Sequence, residues 1–80
     1  MTYSNNALKI LKAMYKNYID NNSKEFTDSD FKLLNMSESD FNAAATELHN
    51  AKLIFNETEN GKIYLYLLFK GVTFAQNLFK

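Results

Sequence analysis

Two hexapeptides ten residues apart, Phe26-Thr27-Asp28-Ser29-Asp30-Phe31 and Met36-Ser37-Glu38-Ser39-Asp40-Phe41, constrain the fold of this chain more than any other feature. Each carries the chemistry of a helix start. A hydroxyl residue (Thr27, Ser37) stands at the N-cap, where its oxygen accepts a backbone N–H that the first turn leaves unpaired. A carboxylate three positions on (Asp30, Asp40) takes the place of the Glu or Gln of a capping box. A large apolar residue before the cap (Phe26, Met36) can staple onto the one at the fourth helical position (Phe31, Phe41). Starts this close leave room for about two turns and a bend between them. The sequence therefore predicts a short helix over 28–35, a tight turn and a second helix over 38–51.

The flanks fill in the rest. Ala7, Leu8, Ile10, Leu11, Met14, Tyr15, Tyr18 and Ile19 recur at helical spacing across half a cylinder, with Lys9, Lys12 and Lys16 opposite. A first helix is expected from Asn5 to Asp20, broken by Asp20-Asn21-Asn22-Ser23. In the helix over 38–51, Phe41, Ala44, Ala45, Leu48 and Ala51 share one face, and the small residues permit close packing. Beyond it, Asn60-Gly61 lies between the apolar runs Leu53-Ile54-Phe55 and Ile63 to Leu68, a strong hairpin signal because both turn residues tolerate φ > 0. A two-residue turn sets Glu59 opposite Lys62, Phe55 opposite Tyr66, Ile54 opposite Leu67 and Leu53 opposite Leu68. After Lys70-Gly71, read as a turn, Val72, Phe74, Ala75, Leu78 and Phe79 form a last helical stripe.

The predicted order is helix, helix, helix, hairpin, helix, an α+β chain of one domain over 1–80. This order resembles the winged helix-turn-helix superfamily, with the helix over 38–51 in the recognition position and the hairpin as the wing. The segment Leu67-Leu68-Phe69-Lys70-Gly71-Val72-Thr73-Phe74-Ala75 is similar to the junction that follows the wing in many of its members. Asp40-Phe41-Asn42-Ala43-Ala44 and the terminal Lys-Gly helix resemble the small YjcQ-like proteins of Gram-positive bacteria and their prophages. The resemblance implies a fold, and DNA binding as the superfamily's commonest use; a fold alone does not assign a function.

Duplex DNA can be tested against the residues. Ser39, Asn42, Ala43, Thr46 and Asn50 lie on the helix face opposite the core, and Asn, Ser and Thr can read base edges. Lys52 and Lys62 could hold phosphates. Charge opposes this: between Thr27 and Asn50 only Lys32 offsets Asp28, Asp30, Glu38, Asp40 and Glu47. Phosphate contacts supply most non-specific affinity, and helix N-termini often approach the DNA. Those acids also suit the helix dipoles, which accounts for their placement without removing their repulsion. The nine Lys and nine acids balance overall, but residues 1–19 sum to +3, residues 20–50 to −5 and residues 51–80 to +2.

Apolar surface points instead to protein contacts, with self or with a foreign partner. Both hairpin faces are apolar, and one must be covered by the last helix, a second copy or another protein. Tyr64, Tyr66, Phe74, Leu78 and Phe79 are the candidate interface. Tyr64 and Tyr66 beside Phe55 could also stack single-stranded bases, although such pairs are ordinary cross-strand packing. Catalysis finds little support. The chain has no Cys and no Arg, its two glycines read as turn residues, and His49 has no second His or Cys to share a metal. The pairs Asp28/Asp30 and Glu38/Asp40 are explained as caps. No catalytic residue, cofactor, metal or small-molecule substrate is expected. Without Cys a reducing compartment is the default. The longest apolar run, Ile63 to Phe69, is too short to cross a bilayer, so a cytoplasmic protein without a membrane partner is expected.

Overall fold

A computed structural model describes residues 3–27 and 34–79. They form an α+β arrangement of three helices and one antiparallel sheet: α1 (Asn5–Asn21), β1 (Glu25–Thr27), α2 (Glu38–Asn50), β2 (Ile54–Glu59), β3 (Lys62–Leu67) and α3 (Phe69–Leu78). The sheet runs in the order β1-β3-β2. The helix expected over 28–35, with Phe31 and Leu34 inward and Asp30 completing the first capping box, falls mostly on residues 28–33, outside the described residues; at its end Leu34 packs partly against the core and Asn35 is left-handed at φ 55°.

The Ser37 half of the doubled signal forms as expected. Ser37 is extended (φ −69°, ψ 158°) and its Oγ accepts the Asp40 N–H at 3.1 Å. Met36 and Phe41, the staple residues, are both buried in the core. α1 starts on a cap of the same kind, Ser4 Oγ accepting the Ala7 N–H at 3.1 Å, and ends where Asn22 turns left-handed at φ 53°. Its inward face is narrower than its sequence stripe. Ala7, Ile10, Leu11 and Met14 are buried, whereas Ile19 is 58 % exposed. Buried alanines on both helices, Ala7 on α1 and Ala44 and Ala45 on α2, suit close packing between them.

β1 is the element that helix and hairpin signals did not show. Ser23 and Lys24 follow the left-handed Asn22, and the Asn17 side chain donates to the Ser23 and Glu25 carbonyls at 3.4 and 3.1 Å, drawing the chain back along α1. Glu25, Phe26 and Thr27 then pair with Tyr66, Leu65 and Tyr64. Phe26 is buried in the core, so the residue expected only as a helix staple is also the inward residue of a strand. The sheet is thus three-stranded where a two-stranded hairpin was expected.

The hairpin keeps the expected register: Glu59 opposite Lys62, Phe55 opposite Tyr66, Ile54 opposite Leu67. Asn60 and Gly61 have φ of 53° and 79°, both positive as a type I′ turn demands. α2 ends in a Schellman arrangement: the Leu53 N–H donates to the Leu48 carbonyl and the Lys52 N–H to the His49 carbonyl, with Lys52 left-handed at φ 64°. Leu48 and Leu53, the apolar pair that accompanies this motif, are both buried.

The last helix departs from the sequence reading. It begins at Phe69, so Lys70 and Gly71 lie inside it and Gly71 is not a turn residue. A Cβ on Gly71 would stand 2.0 Å from the Leu53 carbonyl oxygen. The glycine is there for close approach, seating α3 against the backbone that leads into β2. Val72 and Ala75 are buried, and Phe74 meets Tyr3 edge-on at 5.3 Å, so α3 packs towards α1.

Candidate interaction surfaces

Strand alternation divides the sheet into two faces. Phe26, Ile54, Leu65 and Leu67 point into the core and are buried. The outer face carries Glu25 and Thr27 from β1, Tyr64 and Tyr66 from β3, and Phe55, Glu57 and Glu59 from β2. Phe55 is 46 % exposed, and both tyrosines are half-buried. The rings form a row. His49 at the end of α2 lies 5.7 Å from Phe55, and Phe55 lies 6.4 Å from Tyr66, tilted by 40°. The His49 Nδ1 accepts the Asn56 N–H at 3.1 Å, so His49 serves as an edge cap for β2. Beside the row, His49, Asn50, Lys52, Ile54, Phe55 and Leu68 line an open depression of about 370 Å³.

Carboxylates surround these rings. Tyr66 faces Glu25 across β1 and Phe55 across β2, while Tyr64 faces Glu57. Partial burial first, and then the charges of Glu25 and Glu57 with smaller contributions from Tyr64 and Glu59, hold the Tyr66 hydroxyl above its ordinary titration range. Lys62, opposite Glu59, is the cation of this face among the described residues. Lys24 instead sits 5.7 Å over the Tyr18 ring.

The second surface is the outward side of α2. Ser39, Asn42, Ala43, Thr46 and Asn50 are all exposed, as the helical spacing requires once Phe41, Ala44, Ala45 and Leu48 face the core. Glu38 and Asp40, also exposed, stand at its start. Glu47, read from sequence as a flank of this strip, instead joins two helices. Its Oε2 accepts the Ser4 N–H at 2.8 Å and ties the start of α1 to α2. Lys52 and Lys62 are exposed and stand apart, one after α2 and the other at the hairpin turn.

The five candidate interface residues do not share one surface. Tyr64 and Tyr66 belong to the outer sheet face. Phe74 and Phe79 pack partly against the core, and of the α3 set only Leu78, 47 % exposed, faces solvent freely. The most exposed large apolar side chain among the described residues is Phe69, at 84 %, which the sequence reading placed in a strand-to-helix junction. Its position at the first residue of α3 could have been found had Lys70-Gly71 not been taken for a turn. Among the described residues no group of three or more His, Asp or Glu is placed to hold a metal ion, and no helix is long and apolar enough to cross a membrane. No family model, curated protein or solved structure matches this chain.

Proposed function

We propose that the chain is a winged-helix module that works by macromolecular recognition through protein contacts, without catalysis. The winged-helix reading is supported by α2 running directly into an antiparallel hairpin, with an extended segment after α1 pairing to the hairpin's second strand. The single observation that carries the protein-contact reading is the aromatic outer sheet face. Phe55 and Tyr66 meet there with Tyr64 on the same face, and the last helix, which could have covered it, packs towards α1. Aromatic side chains of this kind are enriched where proteins bind one another.

A second reading, duplex DNA held by α2, is favoured by one observation: the polar strip Ser39, Asn42, Thr46 and Asn50 is exposed on a single helix face. Glu38 and Asp40 at the same helix start oppose it, because they would lie against phosphates. The two readings separate in a fluorescence anisotropy titration with AT-rich duplex at about 50 and 200 mM salt. Protein contact predicts no micromolar binding at either salt. Micromolar binding with a steep salt slope, abolished by Lys62→Glu, would replace it with the DNA reading.

A further inference from the structure

We propose that the outer face of the sheet receives an extended, arginine- or lysine-rich segment of another protein, laid over Phe55, Tyr64 and Tyr66 between the carboxylates of Glu25, Glu57 and Glu59. The proposal rests on the protein-contact reading above and names the partner's chemistry.

Charge complementarity selects the occupant. Among the described residues the face presents three carboxylates against one ammonium, Lys62, and that ammonium stands opposite Glu59 at the far end of the hairpin. Glu25 and Glu57 flank the tyrosines from the two outer strands, so a cation placed over Tyr66 has a ring beneath it, Glu25 directly to one side, and Glu57 diagonally across β2 beyond Phe55. Cation–ring attraction and ion pairing then act on the same group. Burial first, and then the charges of Glu25 and Glu57, make the Tyr66 hydroxyl lose its proton less readily than an ordinary tyrosine, so these carboxylates do act at that point of the face. An apolar side chain of the same segment would find the depression bounded by Phe55, Ile54 and Leu68.

The same charges disfavour the other occupants. Nucleic acid would bring phosphates against Glu25, Glu57 and Glu59. A second copy related by a two-fold axis through this face would set the same acid-rich patch against itself, because such an interface uses one patch on both copies. A second copy offering the exposed lysines of α1, Lys12 and Lys16, would make a head-to-tail contact, which generates open chains unless the rotation happens to close a ring.

The test is a nuclear magnetic resonance titration of the uniformly labelled full chain. The probes are a blocked decapeptide of alternating Arg and Ser, its Glu-Ser counterpart, and an uncharged decapeptide of alternating Leu and Ser, at about 50 mM salt so that screening stays weak. The expected result is a set of shifts confined to Glu25, Thr27, Phe55, Glu57, Tyr64 and Tyr66 with the Arg peptide alone. The double substitution Glu25→Gln/Glu57→Gln, at two exposed positions, should weaken that binding by roughly fivefold or more. Tyr66→Phe, which keeps the ring, should leave it nearly unchanged. Four outcomes would overturn the proposal: no shifts with millimolar Arg peptide, shifts centred on Glu38 and Asp40 instead, equal binding by the Glu peptide, or equal binding by the double variant. Concentration-dependent broadening of the face without peptide would identify a second copy as occupant. That result, or binding of only the Leu-Ser peptide there, would refute the basic partner and leave the protein-contact reading standing. Micromolar duplex DNA binding in the anisotropy titration would refute both.

Discussion

Replacing Gly71 with Ala tests the packing that sets where the hairpin meets the last helix. The added Cβ would lie 2.0 Å from the Leu53 carbonyl oxygen and 3.0 Å from both the Leu53 carbonyl carbon and Leu67 Cδ1. Real Cβ atoms essentially never come within 3.0 Å of a neighbour, so the backbone must part by at least about 1 Å. Nothing there can yield cheaply. Leu53 is buried, and its carbonyl accepts the Leu68 N–H at 3.1 Å, the bond that closes the open end of the hairpin. Overpacking of this kind costs about 1–3 kcal/mol, and weakening the hydrogen bond adds about 1 kcal/mol. Ala is a better helix former than Gly by about 1 kcal/mol, which offsets part of the loss. The net expectation is a destabilisation of about 1–3 kcal/mol. A chain of this size has only about 4–12 kcal/mol in total. At about 4–8 °C per kcal/mol, Tm should fall by roughly 4–24 °C in a far-ultraviolet circular dichroism melt. Gly61→Ala is the matched control: it meets nothing within 4 Å and suffers only its φ of +79°, a strain of about 1 kcal/mol. A Gly71→Ala protein that melts within a few degrees of the parent, or above Gly61→Ala, would refute the close-approach account.

Two further substitutions probe the surfaces. Lys52→Gly removes the side chain that resists a left-handed C′ position at φ 64°, so urea unfolding should show a gain of about 1 kcal/mol. A loss would mean that the Lys52 side chain contributes packing that outweighs the strain. Glu25→Gln/Glu57→Gln should lower the titration midpoint of Tyr66 towards 10.0, followed by phenolate absorbance; an unmoved midpoint would leave burial as the whole cause. Because the folded hydroxyl holds its proton more tightly than the unfolded one, its contribution to stability is intact below pH 10 and is lost as the pH rises through the folded value.

Local chemistry made most of the fold legible. The Ser37 cap, the Asn60-Gly61 turn and the 3.6-residue stripes act within a few residues of themselves, and α1, α2 and the hairpin register follow from them. What escaped was non-local. Glu25-Phe26-Thr27 is too short to show alternation, and it becomes a strand only because Tyr64, Leu65 and Tyr66 lie ready to pair with it. Gly71 carries no turn signal that distinguishes it from Gly61; only the Leu53 carbonyl, 18 residues away in sequence, shows why it is a glycine. The candidate surfaces were legible by residue and less so by grouping. The outward strip of α2 follows from helical spacing alone. Phe74 and Phe79 were assigned to an interface from their apolarity, and the Tyr3 ring and the core take up part of that surface. The two-residue turn already set Glu59 opposite Lys62; β2 continuing through Glu57 to Glu59 puts both acids on the face of Tyr64 and Tyr66.

Charge ties these surfaces together in the choice of partner. The chain is neutral overall, so its long-range field comes from how the charges are sorted and not from their sum. Exposed Lys12 and Lys16 lie on α1, and exposed Glu38 and Asp40 lie at the start of α2. Glu25, Glu57 and Glu59 lie across the outer sheet face. A polyanion docking on α2 would set its phosphates against the acids at the helix start, with Lys52 and Lys62 the cations at its edges among the described residues. A polycation reaching the sheet meets aromatic rings with a carboxylate to either side. The two approaches use the same two exposed lysines in opposite senses: Lys52 and Lys62 are the cations that DNA would need and the ones a basic segment would avoid. Reversing Lys62 should therefore strengthen one partner and remove the other, which makes the sign of that single effect more decisive than the size of any binding constant.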